Sequence, residues 1–529
     1  MEGGQGLQVE VVPWGPGGDE ARAAVADALA STSVATELGD DHRVLSVTPL
    51  FEDPDGGDQP AATEVRAVVY DYARDRTLVV DAPLAGGAKS RATSFASQPL
   101  PSADEREAAI DVVLDDSELG PAVRERRLIP YRPMPPLIAE PLADGRVERT
   151  VAVGLRPAGS DDEHEILGVK LARGELVRFE AKAPPRSLAG RASCGAPDAG
   201  QATIQGAAGA AKITVSKGGE ELWKLVAIRP AASSGTMGSA IELRAVAYRG
   251  KRVLRRAHVP ILNVRYDGDA CGPYRDWQNE EGRLDATGDD VAPGFRLCPQ
   301  AAQTMLDSGD DHGNFRGTAI YVDGDELVLV CEMEAGWYRY VSSWRLHADG
   351  TIRPRFGFGA VDSPCVCNIH YHHAYWRFDF DVVDGAANGV REFNDPPVAG
   401  GSNWHTLGHE IRRPRSKQHH RRWRVINRDG PEHCTLVPGG DDGAADAFGI
   451  GDMWVLRKCH GEIDDGVEFT QNPQEARAHL NRFVTGQSIA RNDVVLWYAA
   501  HFTHDVHEDE RQSSGGGHVV GPKLELGGW

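Results

Sequence analysis

The run Trp376-Arg-Phe-Asp-Phe-Asp-Val-Val383 decides the architecture. It is rich in aromatic and β-branched residues, ends at the turn Asp384-Gly385, and reads as a strand. Just ahead of it stand Asn368-Ile369-His370-Tyr371-His372, and further upstream Gly336-Trp337-Tyr338-Arg339-Tyr340, a second aromatic-rich, strand-like segment. Working outward, the same signal recurs in Lys212-Ile-Thr-Val215, Ile241-Glu-Leu-Arg-Ala-Val-Ala-Tyr248, Glu326-Leu-Val-Leu-Val-Cys331 and Asp493-Val-Val-Leu-Trp-Tyr-Ala-Ala-His-Phe-Thr-His504. Turns such as Ala348-Asp-Gly-Thr351 separate these runs, so a large antiparallel β-sandwich over residues 210–529 is expected.

Upstream the pattern is mixed. Helix-like Asp19–Ala30 precedes strand-like Arg43–Phe51, Glu64–Tyr72 and Arg76–Asp81, one small α+β unit over 19–95. The pattern repeats over 96–185, with a helix at Glu105–Leu114 and strands near Glu148–Leu155 and Glu165–Leu171. Residues 1–18 are Gly/Pro-rich and expected to fray, and 186–209, dense in Gly and Ala, reads as a linker. The fold class is therefore α+β, mainly β.

Composition agrees. The 529 residues exceed one core and imply several domains. An apolar fraction of 41% with a mean hydropathy of −0.39 describes a globular chain, and 60 glycines with 32 prolines favour many turns. The net charge of −21 argues against nucleic acid or an anionic membrane as partner and suits the steering of a cationic substrate. No positive n-region with an apolar h-region, no membrane-length apolar run and no Asn-x-Ser/Thr sequon is seen, so a cytoplasmic location is the default expectation. Eight cysteines in a chain of this length do not resemble a disulfide scaffold, and Cys365-Val-Cys367 is expected to be packed and reduced. The basic run 412–424 is expected to be a solvated loop or hairpin, with an inter-subunit contact to acidic surface as its sharper reading.

On a strand, residues i and i+2 share a face, so His370 and His372 can address one ion while Tyr371 and His373 point the other way. A sequence-distant histidine would complete an imidazole set suited to copper or zinc. With 19 histidines in the chain, a lone His-x-His is weak by itself.

The wider order is more specific: Gly336-Trp-Tyr338-Arg-Tyr340, Trp344 and Asp349-Gly-Thr-Ile352, then His370-x-His372, Arg377-x-Asp379, Asp381 and Asp384-Gly385, then Asp493-Val-Val-Leu-Trp497 and His504. This order resembles the copper amine oxidases over most of residues 20 to 510. The resemblance implies two small α+β domains before a β-sandwich catalytic domain, and a homodimer. It implies copper(II) on His370, His372 and His504, and a topaquinone made from Tyr338 by copper and O2, with Trp337 and Arg339 flanking the cofactor. It further implies a calcium-type site from Asp379, Asp493 and the carbonyls of Phe380 and Val494. The implied reaction oxidises an amine to an aldehyde, a carboxylate taking the α-proton while O2 becomes hydrogen peroxide and ammonia is released.

Three departures stand out. Trp337 and Arg339 occupy positions where the family has Asn and an acidic residue. For the base, local wording favours Asp285, and distance from Trp277 favours Glu281. After His504 the chain reads Asp-Val-His-Glu-Asp-Glu510, and His501 and His507 compete as third ligand; the resemblance implies His504, which lies at the family's spacing from Asp493. Two further readings stay open: a homologue that binds copper for another O2-dependent oxidation without forming topaquinone, and a non-catalytic dimeric binding protein.

Overall fold

The computed structural model describes residues 6–529 except 53–60, 86–88, 96–97, 134–135, 142–146, 159–164, 180–193, 198–207, 236, 270, 272–273, 446–450, 460–461, 463–479 and 506–517. Among the described residues there are four sheets. The first is a four-stranded antiparallel sheet, His42–Glu52, Ala61–Asp71, Arg76–Pro83 and Arg91–Phe95. The helix Gly18–Ala30 covers it, because Ala21, Val25 and Ala28 recur at helical spacing and meet Val65, Ala67, Val69, Leu78 and Val80. The second sheet has five strands and carries the helix Ala103–Asp115. That helix starts at a reciprocal cap: Ser102 Oγ accepts from the Glu105 amide and Glu105 returns a carboxylate to the Ser102 amide. The same Glu105 carboxylate binds Arg149 at 2.5 Å and 2.7 Å and accepts from the Tyr72 hydroxyl of the first unit. The two small units are thus joined by a buried charge with its partners in place.

Sheets of ten and twelve strands form the sandwich. In the ten-stranded sheet the strands Lys251–Tyr266, His370–Phe380 and Val494–His504 lie side by side, antiparallel. The facing sheet places Tyr338–His347 between Glu326–Ala335 and Ile352–Ala360. Period-2 alternation sorts the side chains. Tyr338, Tyr340, Trp344 and Leu346 enter the shared core, as do Ala374, Trp376, Phe378 and Phe380, and Leu496, Tyr498, Ala500 and Phe502. Val341 goes to a second cluster on the outer face of the twelve-stranded sheet, and Tyr375, Val495 and Trp497 to another outside the ten-stranded one.

Four expectations are corrected here. Residues 8–13, expected to fray with the rest of 1–18, form the edge strand Gln8–Pro13 on Ala210–Lys217, with Val9 and Val11 packed on the core. Within the expected linker 186–209, Cys194–Ala196 is stitched to Val361 and Ser363 by β-bridges; most of the remaining linker lies outside the described residues. Gly195 is required there, since a Cβ would stand 2.6 Å from the Val361 backbone at a φ of +120°. Cys365 and Cys367 are not reduced: they bond Cys271 and Cys194, partners 94 and 173 residues away that no local pattern could reveal. Disulfides persist in oxidising surroundings, which removes one support of the cytoplasmic expectation. The basic run 412–424 is neither one loop nor a hairpin: it begins in Ile411–Arg413, paired in the ten-stranded sheet, and ends in Arg422–Asn427, paired in the twelve-stranded one. Among the described residues no helix is long and apolar enough to cross a membrane.

Candidate active site

Register builds the centre. His370 stands directly opposite His504 on one side and Tyr266 on the other, and His372 opposite Phe502 and Val264. Because 370, 372 and 504 are in phase across adjacent antiparallel strands, all three imidazoles leave the sheet on its inner face. Their nitrogens offer one ligand atom each, all within 4.8 Å of one another, and all three residues are buried. The ring centroids of His370 lie 5.0 Å from His372 and 4.4 Å from His504.

The hydrogen bonds orient the set. His370 Nδ1 is 2.6 Å from the Asn368 carbonyl, so it carries the proton and leaves the Nε2 lone pair facing His504 Nδ1 at 2.9 Å. Neither nitrogen of His372 has a hydrogen-bond partner among the described residues. Burial holds His370 and His372 well below the usual imidazole range, so both are neutral with lone pairs available. Buried, neutral imidazoles converging with unsatisfied nitrogens fit a borderline metal such as copper or zinc. The rival His501 is excluded by parity. It points through the opposite face, 2.8 Å from His373 and 3.1 Å from Asp452. His507 lies outside the described residues.

Tyr338 reaches this centre from the facing sheet. Its ring meets His372 edge-on at 4.8 Å and stacks on Tyr340 at 5.2 Å. Its oxygen accepts from the Tyr266 hydroxyl at 2.8 Å, and Tyr266 in turn accepts from the Trp337 indole at 2.8 Å. Trp337 therefore holds the tyrosine pair. Arg339 does not line this space: alternation sends it through the outer face to Asp311, at 2.7 Å and 2.9 Å, near Glu334.

Neither carboxylate singled out in the sequence reaches Tyr338. Asp285 is bridged to Gln303 between Leu284 and Ala286, which pack on the outer face of the twelve-stranded sheet; its half-exposed carboxylate faces His312 at 3.8 Å. Glu281 is buried but held by two guanidinium nitrogens of Arg229, Nε and Nη2. The carboxylate that does approach is Asp276. It follows Tyr274–Arg275, which pairs with Asn263 and Val264 beside Tyr266. Asp276 accepts from the Tyr340 hydroxyl, its Oδ1 has no partner among the described residues, and burial pushes its carboxyl up to about 7. No local signal in Tyr274-Arg-Asp-Trp277 sets Asp276 apart from the carboxylates just after it.

The calcium-type residues meet cations of the chain itself. Lys458 Nζ sits 3.1 Å from Asp379 and 3.4 Å from Asp493, and Arg377 adds a contact to Asp379 at 3.3 Å. Phe380 and Val494 are paired in the ladder. One oxygen of each carboxylate lacks a partner among the described residues, and burial together with Asp379 pushes Asp493 up to about 6. A hard cation would have to share these aspartates with the Lys458 ammonium.

No family model and no curated sequence matches the chain. Solved structures do match in shape. A copper-containing benzylamine oxidase from Hansenula polymorpha superposes with a TM-score of 0.56 at 11% identity, covering 98% of either chain. An Aspergillus nidulans amine oxidase gives 0.51 at 11%, covering 99% of this chain and 90% of that one. A Pichia pastoris lysyl oxidase gives 0.52 at 12%, covering 98% and 90%. The multi-domain, mostly β fold is the one these proteins share, and at such identity the likeness is one of fold.

Proposed function

We propose that this chain is a copper-dependent oxidase distantly related to the copper amine oxidases, converting a primary amine, O2 and water to an aldehyde, ammonia and hydrogen peroxide. The observation that carries the reading is the meeting of three buried imidazoles from two strands of one sheet with a buried phenol from the other. His370, His372 and His504 would hold the metal, and Tyr338 is the residue positioned to become the quinone. Copper(II) bound there would supply one-electron chemistry with O2, and a topaquinone would supply a carbonyl electrophilic toward the amine.

The remaining roles belong to side chains on the page. Tyr266, fixed by the Trp337 indole, holds the oxygen of residue 338 in place. Asp276, with a carboxyl near 7, is matched to accepting a proton at neutral pH and is kept out of bulk water by full burial. Tyr340, hydrogen-bonded to Asp276 and stacked on Tyr338, spaces the carboxylate from the phenol ring. A homodimer and an amine substrate go with this reading; a calcium ion would have to share Asp379 and Asp493 with the Lys458 ammonium.

A second reading has an observation of its own. Trp337 and the stack on Tyr340 pin the ring of Tyr338, which favours a phenol that stays unmodified beside the metal. Phenylhydrazine separates the two. Copper-loaded, aerated protein should turn pink and give a stoichiometric coloured adduct carried on the Tyr338 peptide. One copper per chain with no colour supports the unmodified phenol, and a chain that retains no copper overturns both in favour of a non-catalytic binding protein.

A further inference from the structure

A second hollow lies on the twelve-stranded sheet, built from strands that play no part in the metal centre. It is an open groove of about 520 Å³ between Asn388–Phe393, Trp404–Leu407, Arg422–Asn427 and the turn to His433. Four guanidinium groups line it, from Arg391, Arg424, Arg428 and Arg491, against one carboxylate, Glu432. That carboxylate is already bound by Lys251 at 2.5 Å and Asn427 at 2.9 Å. In a chain of net charge −21 this is a sharp local reversal of sign.

Register makes the reversal costly without a partner. Arg391 and Arg424 are directly opposed across the strands, where like charges destabilise a sheet. Arg424 is partly answered by Thr435 at 2.9 Å and by the Trp404 ring at 4.3 Å, and Arg491 by Asp429 at 3.2 Å. Among the described residues neither Arg391 nor Arg428 has a carboxylate within ion-pair distance, and Arg428 Nε is buried without a hydrogen-bond partner. Gly389 makes room for that guanidinium: a Cβ there would lie 2.4 Å from Arg428 Nε.

We propose that this hollow is a binding site for a small phosphate-bearing molecule. Guanidinium forks match phosphate oxygens in pairs, and the volume lies within the range of small-ligand sites. The anion would bridge Arg391 and Arg424 and satisfy Arg428, turning a repulsive row into a clamp. This reading stands apart from the copper chemistry.

The test uses the full-length, metal-loaded protein with inorganic phosphate and pyrophosphate as probes, at constant ionic strength held by chloride. Calorimetry and melting curves should show saturable binding of one phosphate or pyrophosphate per chain, weakened about tenfold or more in both Arg391→Ala and Arg428→Ala while copper content is unchanged. Arg249→Ala, a surface arginine elsewhere, should leave binding intact. A second arm offers vesicles of phosphatidylcholine with and without phosphatidic acid: capture by the acidic vesicles alongside free phosphate assigns a lipid headgroup, and free phosphate alone a soluble ligand. Non-saturable responses, equal responses in wild type and both variants, or a thiol label on Thr406→Cys shielded by a second copy of the chain would overturn the proposal.

Discussion

At the residue scale, parity and burial build the centre. His370, His372 and His504 converge because even spacing along antiparallel strands puts all three on one face, and the same parity sends His373, His501 and Arg339 away. The register that sets His504 opposite His370 is unwritten in a linear sequence, and only the family resemblance pointed to it; the shared face of His370 and His372 was legible. Asp276 was not, because nothing in the wording of Tyr274-Arg-Asp-Trp277 says that its strand will lie beside Tyr266 and its carboxylate under Tyr340. His372→Ala should abolish stoichiometric copper after dialysis, measured by metal analysis, whereas His501→Ala should retain it. Asp276→Asn should lower kcat by about two to four orders of magnitude with copper unchanged, while Asp285→Asn stays near wild type. Since the base must be ionised, kcat should rise with pH through about 7 and then level off. The stability sign is opposite. The folded carboxyl binds its proton more tightly than the unfolded one, so its contribution is complete below about pH 4 and lost as pH rises through about 7. Asp276→Asn should therefore melt higher than wild type at pH 8, with little difference at pH 4.

At the element scale, the turn from Val361 to Ile369 feeds the first ligand. Cys365 and Cys367 fasten it to Cys271, past the end of the Tyr266 strand, and to Cys194; Asn368 then fixes the His370 ring. The strands themselves were readable from alternation, as in Trp376 to Asp381, because one face must be dry and the other polar or separately packed. The disulfides were not, since thiols that pair across 94 and 173 residues leave no periodic trace. Cys271→Ser with Cys365→Ser should weaken copper binding by about tenfold, as loss of an outer-shell support does, with far-ultraviolet dichroism preserved. Trp376→Ala, opening a cavity between the sheets, should cost about 3–5 kcal/mol in chemical denaturation.

At the scale of the whole molecule, the second small unit reaches into the sandwich beside Asp276. Arg132 lies 5.2 Å over the Trp277 ring, next to Asp276, and pairs with Glu280, which also accepts from the Trp277 indole at 2.8 Å. Arg132→Ala removes one partner of a buried pair and should cost about 3–5 kcal/mol. It should also displace the pH profile of kcat while leaving copper content intact. The order of two α+β units before a sandwich was visible in the alternation of helical and strand periods. The contacts between units were not, because they depend on single long side chains such as Arg132, Arg149 and Tyr72. Electron paramagnetic resonance of the copper(II)-loaded protein decides whether these imidazoles hold the metal. One copper per chain should appear, with hyperfine splitting from imidazole nitrogens that is perturbed by His370→Ala, His372→Ala or His504→Ala and unmoved by His373→Ala; a copper signal indifferent to the first three substitutions, or no bound copper, would contradict a metal on His370, His372 and His504.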